Sequence, residues 1–290
     1  MNALKVWIIA SRPKTLPVSI GPALLGTILA LTDGFFNLFL FCMTLCTALG
    51  IQICANFAND YFDFIKGGDT KERKGPLRIT QAGLVSLPTM KKALFISFGL
   101  TALMGCYLVW HGGLVIAFLV ALSLLSAALY TAGPFPLAYL GLGDLFVFAF
   151  FGPIAVAGAY FLQTGHFSWD SFLVGLGAGA LSVTPLVINN VRDREEDIKS
   201  NKKTLIVRFG KRFGQIEYIT CLIVAACIPL VFCKSHPFSL LSLLFLIPAF
   251  PMIRTLFTYS DPRMLNQLLG NTGKVLLLYY FLFCLGWQWC

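Results

Sequence analysis

Charge is what this sequence has least of. Only 12% of its residues are Asp, Glu, Lys or Arg, where soluble domains carry roughly 25%, and 57% are hydrophobic, with a mean hydropathy of +0.78. That scarcity excludes an ordinary soluble domain. Histidine is scarcer still, occurring three times, at His111, His166 and His236. The nine cysteines contain no Cys-x-x-Cys pair, so the common zinc and dithiol signatures are missing. Most of these thiols lie inside apolar runs, where they behave as small hydrophobes. No Pro/Gly/Ser linker or low-complexity tract divides the chain, and residues 1–290 are expected to form one domain. The first apolar run carries no convincing cleavage site and reads as a span, not as a removable signal peptide.

In place of charge the sequence has runs of about twenty apolar residues, long enough to cross a bilayer core of about 30 Å as helices. Nine such runs are read, at 13–31, 36–58, 92–110, 113–132, 143–162, 170–190, 214–233, 238–257 and 272–288. The expected fold class is all-α, a polytopic membrane protein with nine transmembrane helices. A formal charge of +9 could suggest nucleic acid, but its distribution points to a membrane. With connections alternating sides, 21 of the 22 Lys and Arg residues fall on the face that holds the N-terminus, and only Lys234 falls opposite. Positive-inside bias then puts the N-terminus and the long connections 59–92 and 191–213 in the cytoplasm. The expected location is a cell (inner or plasma) membrane, with no nucleic-acid partner. All three histidines sit in outer connections on this reading, so chemistry at the cytoplasmic face has to come from carboxylates, tyrosine, lysine or water.

Eight of the thirteen acids lie in the two long connections: Asp60, Asp63, Asp69, Glu72, Asp193, Glu195, Glu196 and Asp197. Helical residues four and seven apart share a face. In "CANFANDYFDFIKGGDT" (54–70), Asn56, Asp60 and Asp63 therefore point one way at the end of the second run, and Gly67 and Gly68 end the helix. After the sixth run, "INNVRDREEDIK" repeats the device with Asn189, Asp193 and Asp197, while Glu195 and Glu196 fall on another face. The matching Asn56/Asp60 and Asn189/Asp193 steps suggest two related halves. A carboxylate costs roughly 2.5–3.5 kcal/mol at mid-bilayer and less near the headgroups, and clustering adds repulsion. A divalent cation removes both penalties, and oxygen ligands without His or Cys suit Mg²⁺, usually completed by water and substrate phosphates. The plainer reading, solvated helix ends, is preferred for Glu72, Glu195 and Glu196. Both connections stay net positive, so Lys66, Arg78, Lys199, Lys202 and Lys203 are candidates for neutralising phosphates. Topology and anionic lipid favour such residues equally well.

These residues carry a family resemblance. "NDYFDFIKGGD" and "DREED" resemble the N-D-x-x-D-x-x-x-D and D-x-x-x-D motifs of the UbiA superfamily of intramembrane aromatic prenyltransferases. "WIIASRPKTLPVSIGPALLG" (7–26), "GPLRITQAG" (75–83), "YTAGPFPLAYLGLGD" (130–144) and "NNVRDREEDIKSNKKTLIVRFG" (189–210) look most like its naphthoate branch. The first motif departs from the general pattern: Gly67 stands where an acid is expected, and Asp69 comes two positions late. The resemblance implies helices bundled around a central apolar cavity, with a polyprenyl diphosphate lying tail-inward and its head between the two acidic ends. Mg²⁺ would be held by Asp60, Asp63, Asp69, Asp193 and Asp197, with Asn56, Asn59, Asn189 and Asn190 beside the head group. The ring of 1,4-dihydroxy-2-naphthoate would take the prenyl group with loss of CO₂, giving a demethylmenaquinone-type product. Tyr130 would stabilise the allylic cation or assist ring deprotonation, though interfacial tyrosine is common. Arg12 and Lys14 would reach the head group or anchor the interface. Asp144 reads equally well as a helix N-cap, and Trp287 and Trp289 as an aromatic belt.

Two alternatives stand beside this: another acceptor such as 4-hydroxybenzoate, or a cation transporter, since intramembrane acids often mark ion paths. The near absence of acids from the middles of the runs favours a head-group site. The pattern predicts that Asp60→Ala or Asp193→Ala abolishes prenyl transfer by isolated membranes while the protein still inserts, checked by radiolabelled transfer and membrane fractionation.

Overall fold

The computed structural model describes residues 2–67 and 74–289, and among these every regular element is a helix. The first three helices are α1 (Ala3–Ser11), α2 (Pro17–Thr32) and α3 (Leu38–Ile65), followed by α4 (Leu87–Leu129) and the short α5 (Leu137–Leu140). Next come α6 (Gly143–Phe150), α7 (Pro153–Thr164), α8 (Trp169–Lys199) and the short α9 (Leu205–Phe209). The chain closes with α10 (Lys211–Val231), α11 (Leu246–Thr258) and α12 (Leu265–Gln288). Among the described residues seven segments are long and apolar enough to cross a membrane, or eight if the bent α1–α2 pair is one span.

That count treats α4 as a single span, yet α4 is not straight. At 43 residues a straight helix would run about 65 Å, twice the hydrocarbon thickness. Gly113 breaks it with φ 66° and ψ −155°, a conformation that a residue without a Cβ adopts at little cost. The two arms then fold together: a Cβ on Gly105 would sit 2.7 Å from Val120 Cγ1, although a straight helix would separate these residues by about 22 Å. Leu108 and Ile116, one from each arm, pack with Leu40 and Leu162.

The apolar runs expected to end at 58 and 190 continue as helix to Ile65 and Lys199. Asn59, Asp60 and Asp63, and on α8 Asp193 and Asp197, therefore stand on helical extensions of spans. α8 is the most enclosed of the spans, and small residues allow its neighbours to come close. A Cβ on Gly179 would lie 2.3 Å from the Phe148 carbonyl of α6, and one on Gly175 would lie 2.5 Å from Pro153 Cα of α7. Gly26 of α2 does the same against α7, 2.3 Å from the Val156 carbonyl. Without a hydrophobic drive between helices in lipid, such backbone approaches supply much of the packing. On the far side of α8 a large apolar cluster joins α10, α11 and α12 through Tyr218, Leu256, Tyr279, Tyr280 and Phe283, with Phe245 just before α11, all essentially buried.

Two sequence expectations change here. Trp287 belongs to this cluster, stacked 3.7 Å from the His236 ring, whereas Trp289 is 60% exposed as a belt residue would be. Asp144 is not the N-cap of α6, which is Leu142; it is buried in the first turn.

Gly179→Val should overpack the α6–α8 contact and cost about 1–3 kcal/mol. Gly99→Ala, with nothing within 4 Å, should leave stability unchanged or raise it slightly. Thermal unfolding of the detergent-purified protein, followed by size-exclusion, measures both.

Candidate active site

Two adjoining cavities lie between α2, α3, α4, α6, α7 and α8. The larger part of one wall system is apolar: about 270 Å³ lined by Val18, Ile51, Leu108, Leu119, Phe146 and Phe150, among others. The second, about 280 Å³, is the more polar of the two, with charged side chains on its wall, and lies at the motif-bearing ends of α3 and α8. Arg12, Thr15, Asn59, Tyr130, Leu186 and Asn189 line both and form the junction between them. Arg12 is fixed there by a left-handed turn (φ 53°, ψ 68°) between α1 and α2, and its Nη2 donates to the Asn56 carbonyl at 3.5 Å.

The two acidic motifs converge on the polar chamber. Asp63 from α3 faces Asp193 and Asp197 from α8, with Asn189 and Asn190 a turn earlier. Each of the three aspartates meets a cation. Asp63 Oδ2 lies 3.1 Å from Arg78 Nη2, and its Oδ1 accepts from the Tyr139 hydroxyl at 3.2 Å. Asp193 receives Arg192 through both oxygens at 2.7 Å each, a bidentate fork. Asp197 Oδ1 lies 3.5 Å from Lys202 Nζ.

Asp60 does something else. Its Oδ2 and Oδ1 accept the backbone N–H groups of Ile79 and Thr80, each at 3.1 Å, and it does not line the chamber. The face expected from Asn56, Asp60 and Asp63 is rotated: Asn59 and Asp63 look into the polar chamber, and Asn56 lines the apolar one while donating to the Ser11 carbonyl at 2.9 Å. Helical spacing explains this, because Asp60 stands at the edge of the stripe centred on 56, 59 and 63. Lys66, Lys199 and Lys203 also stay outside the chamber wall. Lys66 Nζ donates to the carbonyls of Thr131 at 2.7 Å and Gly133 at 3.1 Å, lying 5.0 Å above the Tyr139 ring. Partial desolvation lowers the Lys66 pKa, with Asp63 acting in the opposite sense. Asp69 and Glu72 lie outside the described residues.

Several wall residues escaped the sequence reading. Glu196, assigned to a solvated face, lines the chamber and accepts from the Lys74 backbone N–H at 2.9 Å. The Lys74 ammonium bonds Glu195 at 2.8 Å, which holds its pKa above the ordinary range. Arg192 and Tyr139 sit within quoted motif segments and could have been found there. Asn266, at the start of α12, has no motif to mark it. It accepts from Arg192 Nη1 at 2.9 Å and donates to the Lys74 carbonyl at 2.8 Å, tying the first acidic connection to the second.

The donor set suits a hard divalent cation only in company. Among the described residues no three His, Cys, Asp or Glu groups converge to chelate an ion by themselves. Asp197 Oδ2 and Asn59 Oδ1, however, are buried acceptors without a partner on opposite walls. Oxygen donors too few for a cage are what Mg²⁺ uses when substrate phosphates and water complete its shell.

A chain of this architecture, with an oxygen-lined polar chamber opening onto an apolar one, is an intramembrane prenyltransferase: it belongs to the UbiA prenyltransferase family, whose model matches residues 19–283. It is 37% identical to the 1,4-dihydroxy-2-naphthoate octaprenyltransferase of Haemophilus influenzae, over 98% of this chain and 96% of that protein. The enzyme of the same name from Escherichia coli is also 37% identical, over 99% of this chain and 96% of its own length. Among solved structures, a UbiA homolog from Archaeoglobus fulgidus bound to GPP and Mg²⁺ superposes with a TM-score of 0.66 over 96% of this chain and 99% of that one. Its 14% identity makes this a likeness of fold.

The geometry separates two aspartates that the motif treats alike. Asp63→Ala should cut turnover by about 10²–10³, as loss of a preorganised electrostatic group does, beyond the destabilisation that follows from leaving the buried Arg78 guanidinium without this carboxylate. Asp60→Ala should instead strip an acceptor from two buried N–H groups, at about 1–3 kcal/mol each, and lower the unfolding temperature. Parallel kinetics and thermal unfolding of both variants make the comparison.

Proposed function

We propose that this enzyme transfers a polyprenyl group from polyprenyl diphosphate to 1,4-dihydroxy-2-naphthoate, with Mg²⁺ and with loss of diphosphate and CO₂, in menaquinone synthesis. The observation that carries the reading is the junction: one set of residues borders both a phosphate-suited chamber and an apolar one. The near full-length similarity to enzymes named for the naphthoate acceptor supports the choice of ring.

In this reading the tail occupies the apolar chamber and the diphosphate the polar one. Arg12, Lys14, Arg78, Arg192 and Lys202 border the head-group space and neutralise its charge. Asp63, Asp193 and Asp197, with Asn59, hold the metal, and Asp60 supports this set by fixing residues 79–80. When bound, Mg²⁺ supplies Lewis-acid stabilisation of the leaving diphosphate. The C–O bond breaks with its electron pair leaving on diphosphate. The ring carbon bearing the carboxylate then forms a bond to the allylic carbon, and departure of CO₂ restores the aromatic ring. Tyr130 borders the junction where positive charge develops, and its ring face stabilises such charge. The apolar chamber keeps water from capturing the cation.

The same reading takes the N-terminus and both acidic helix ends as cytoplasmic and counts nine crossings. The fold-back of α4 at Gly113 supports two crossings where length alone counts one.

Purified protein given a polyprenyl diphosphate should prenylate 1,4-dihydroxy-2-naphthoate with release of CO₂. It should leave 4-hydroxybenzoate and homogentisate largely unreacted, and EDTA should abolish turnover until Mg²⁺ is restored. Chromatography of the lipid-soluble product reads the outcome, and preference for another acceptor would reassign the substrate.

A further inference from the structure

The apolar chamber is not equally apolar all round. α6 and α7 face it with residues such as Phe146, Phe150 and Ile154, whereas α3 and α4 also present Gln52, Ser123 and Ser126. Among the described residues no group hydrogen-bonds the Gln52 amide or either serine hydroxyl. Serine and threonine on a helix often bond the carbonyl one turn earlier. Two others on this wall do so: Thr44 donates to the Leu40 carbonyl and Ser182 to that of Ala178, each at 2.8 Å. A polar group without a partner in apolar surroundings is costly. Gln52, Ser123 and Ser126 therefore suit a ligand that brings hydrogen-bonding groups of its own.

Their depth is set by helical spacing. α3 and the arm of α4 after Gly113 both run toward the junction, which they reach at Asn59 and Tyr130. Gln52 and Ser123 each stand seven residues earlier, on the same helix face as the junction residue and about 10 Å below it. Ser126 stands about one turn below Tyr130. Among the described residues Arg12 is the one charged side chain on the wall of this chamber, and it lies at the junction. An anionic group on a ligand thus meets its counter-charge at the junction. Deeper, at Gln52 and the serines, the wall matches an uncharged hydroxyl.

That pairing fits the aromatic acceptor of the function proposed above, and the inference rests on that reading. 1,4-Dihydroxy-2-naphthoate carries one carboxylate, with its 4-hydroxyl two ring carbons further on. With the carboxylate toward Arg12, the carbon that bears it, which bonds the allylic carbon, lies at the junction where diphosphate departs. The 4-hydroxyl then points down the α3–α4 side. We propose that Gln52, Ser123 and Ser126 form the subsite for this hydroxyl and determine acceptor specificity, with the ring against α3 and α4 and the prenyl tail against α6 and α7.

The test is steady-state kinetics of the purified full chain in detergent, without oxygen. 1-Hydroxy-2-naphthoate, which lacks the 4-hydroxyl, is the competitive inhibitor used as probe. Gln52→Leu and Ser123→Ala should each raise the KM for 1,4-dihydroxy-2-naphthoate by several-fold to about tenfold, as loss of a hydrogen bond to a neutral group does. Neither should change the inhibition constant of the probe or the KM for polyprenyl diphosphate. Phe150→Ala, on the opposite wall, should do the reverse, raising the KM for polyprenyl diphosphate and not that for the ring. Ser123→Ala removes a single oxygen and serves if Gln52→Leu fails to fold. An unchanged acceptor KM in these variants overturns the proposal, and so does an equal rise in the probe's inhibition constant, which marks a merely structural role. If the parent prenylates dihydroxynaphthoate and either of those results is found, this inference alone fails. If the parent prenylates a different ring in its place, the functional reading fails and takes the inference with it.

Discussion

The rest of the structure depends on the neutralisation of three carboxylates at the C-terminal ends of two spans. Asp63 stands at the end of α3, and Asp193 and Asp197 at the end of α8, all nearly buried. Left alone there, they would be strongly destabilising, both by desolvation and by mutual repulsion. Arg78, Arg192 and Lys202 offset that cost, and the neighbouring backbone is arranged to hold these cations in place. Asp60 fixes residues 79–80 next to Arg78, Asn266 fixes Arg192, and Tyr139 shares Asp63 with Arg78.

The rigidity of this arrangement comes from the helices that carry it. α3 and α8 continue past their apolar portions, so the acidic side chains are placed by hydrogen-bonded backbone and not by loops. Glycines on α8 bring it into backbone contact with α6 and α7, and the aromatic cluster with α10 and α12 backs its other side. A site of separated charges needs such support, because electrostatic stabilisation depends on groups already aimed before charge develops.

One consequence is a division of labour within a single motif. Asn59 and Asp63 face the chamber, while Asp60, between them in sequence but at the edge of their stripe on the helix, turns to the segment after Arg78. Two residues identical in chemistry thus take different places, Asp63 on the chamber wall and Asp60 in the scaffold. The same holds on α8, where Arg192 belongs to the chamber wall as fully as the aspartate beside it.

The amino-acid sequence by itself determined the membrane, the helical class, the two acidic helix ends and the family, because each rests on local quantities: run length, charge, and spacing along a helix. It marked Asp63, Asp193, Asp197, Asn59, Asn189, Arg12 and Tyr130 as residues that the structure brings to one site. Only the tertiary structure decided that Asp60 is an anchor, that Trp287 is core, that Glu196 reaches the chamber, and that Asn266 joins the two acidic ends. Those facts depend on which distant segment packs against a given helix face. Periodicity gives a face its direction along the chain but says nothing about what lies opposite.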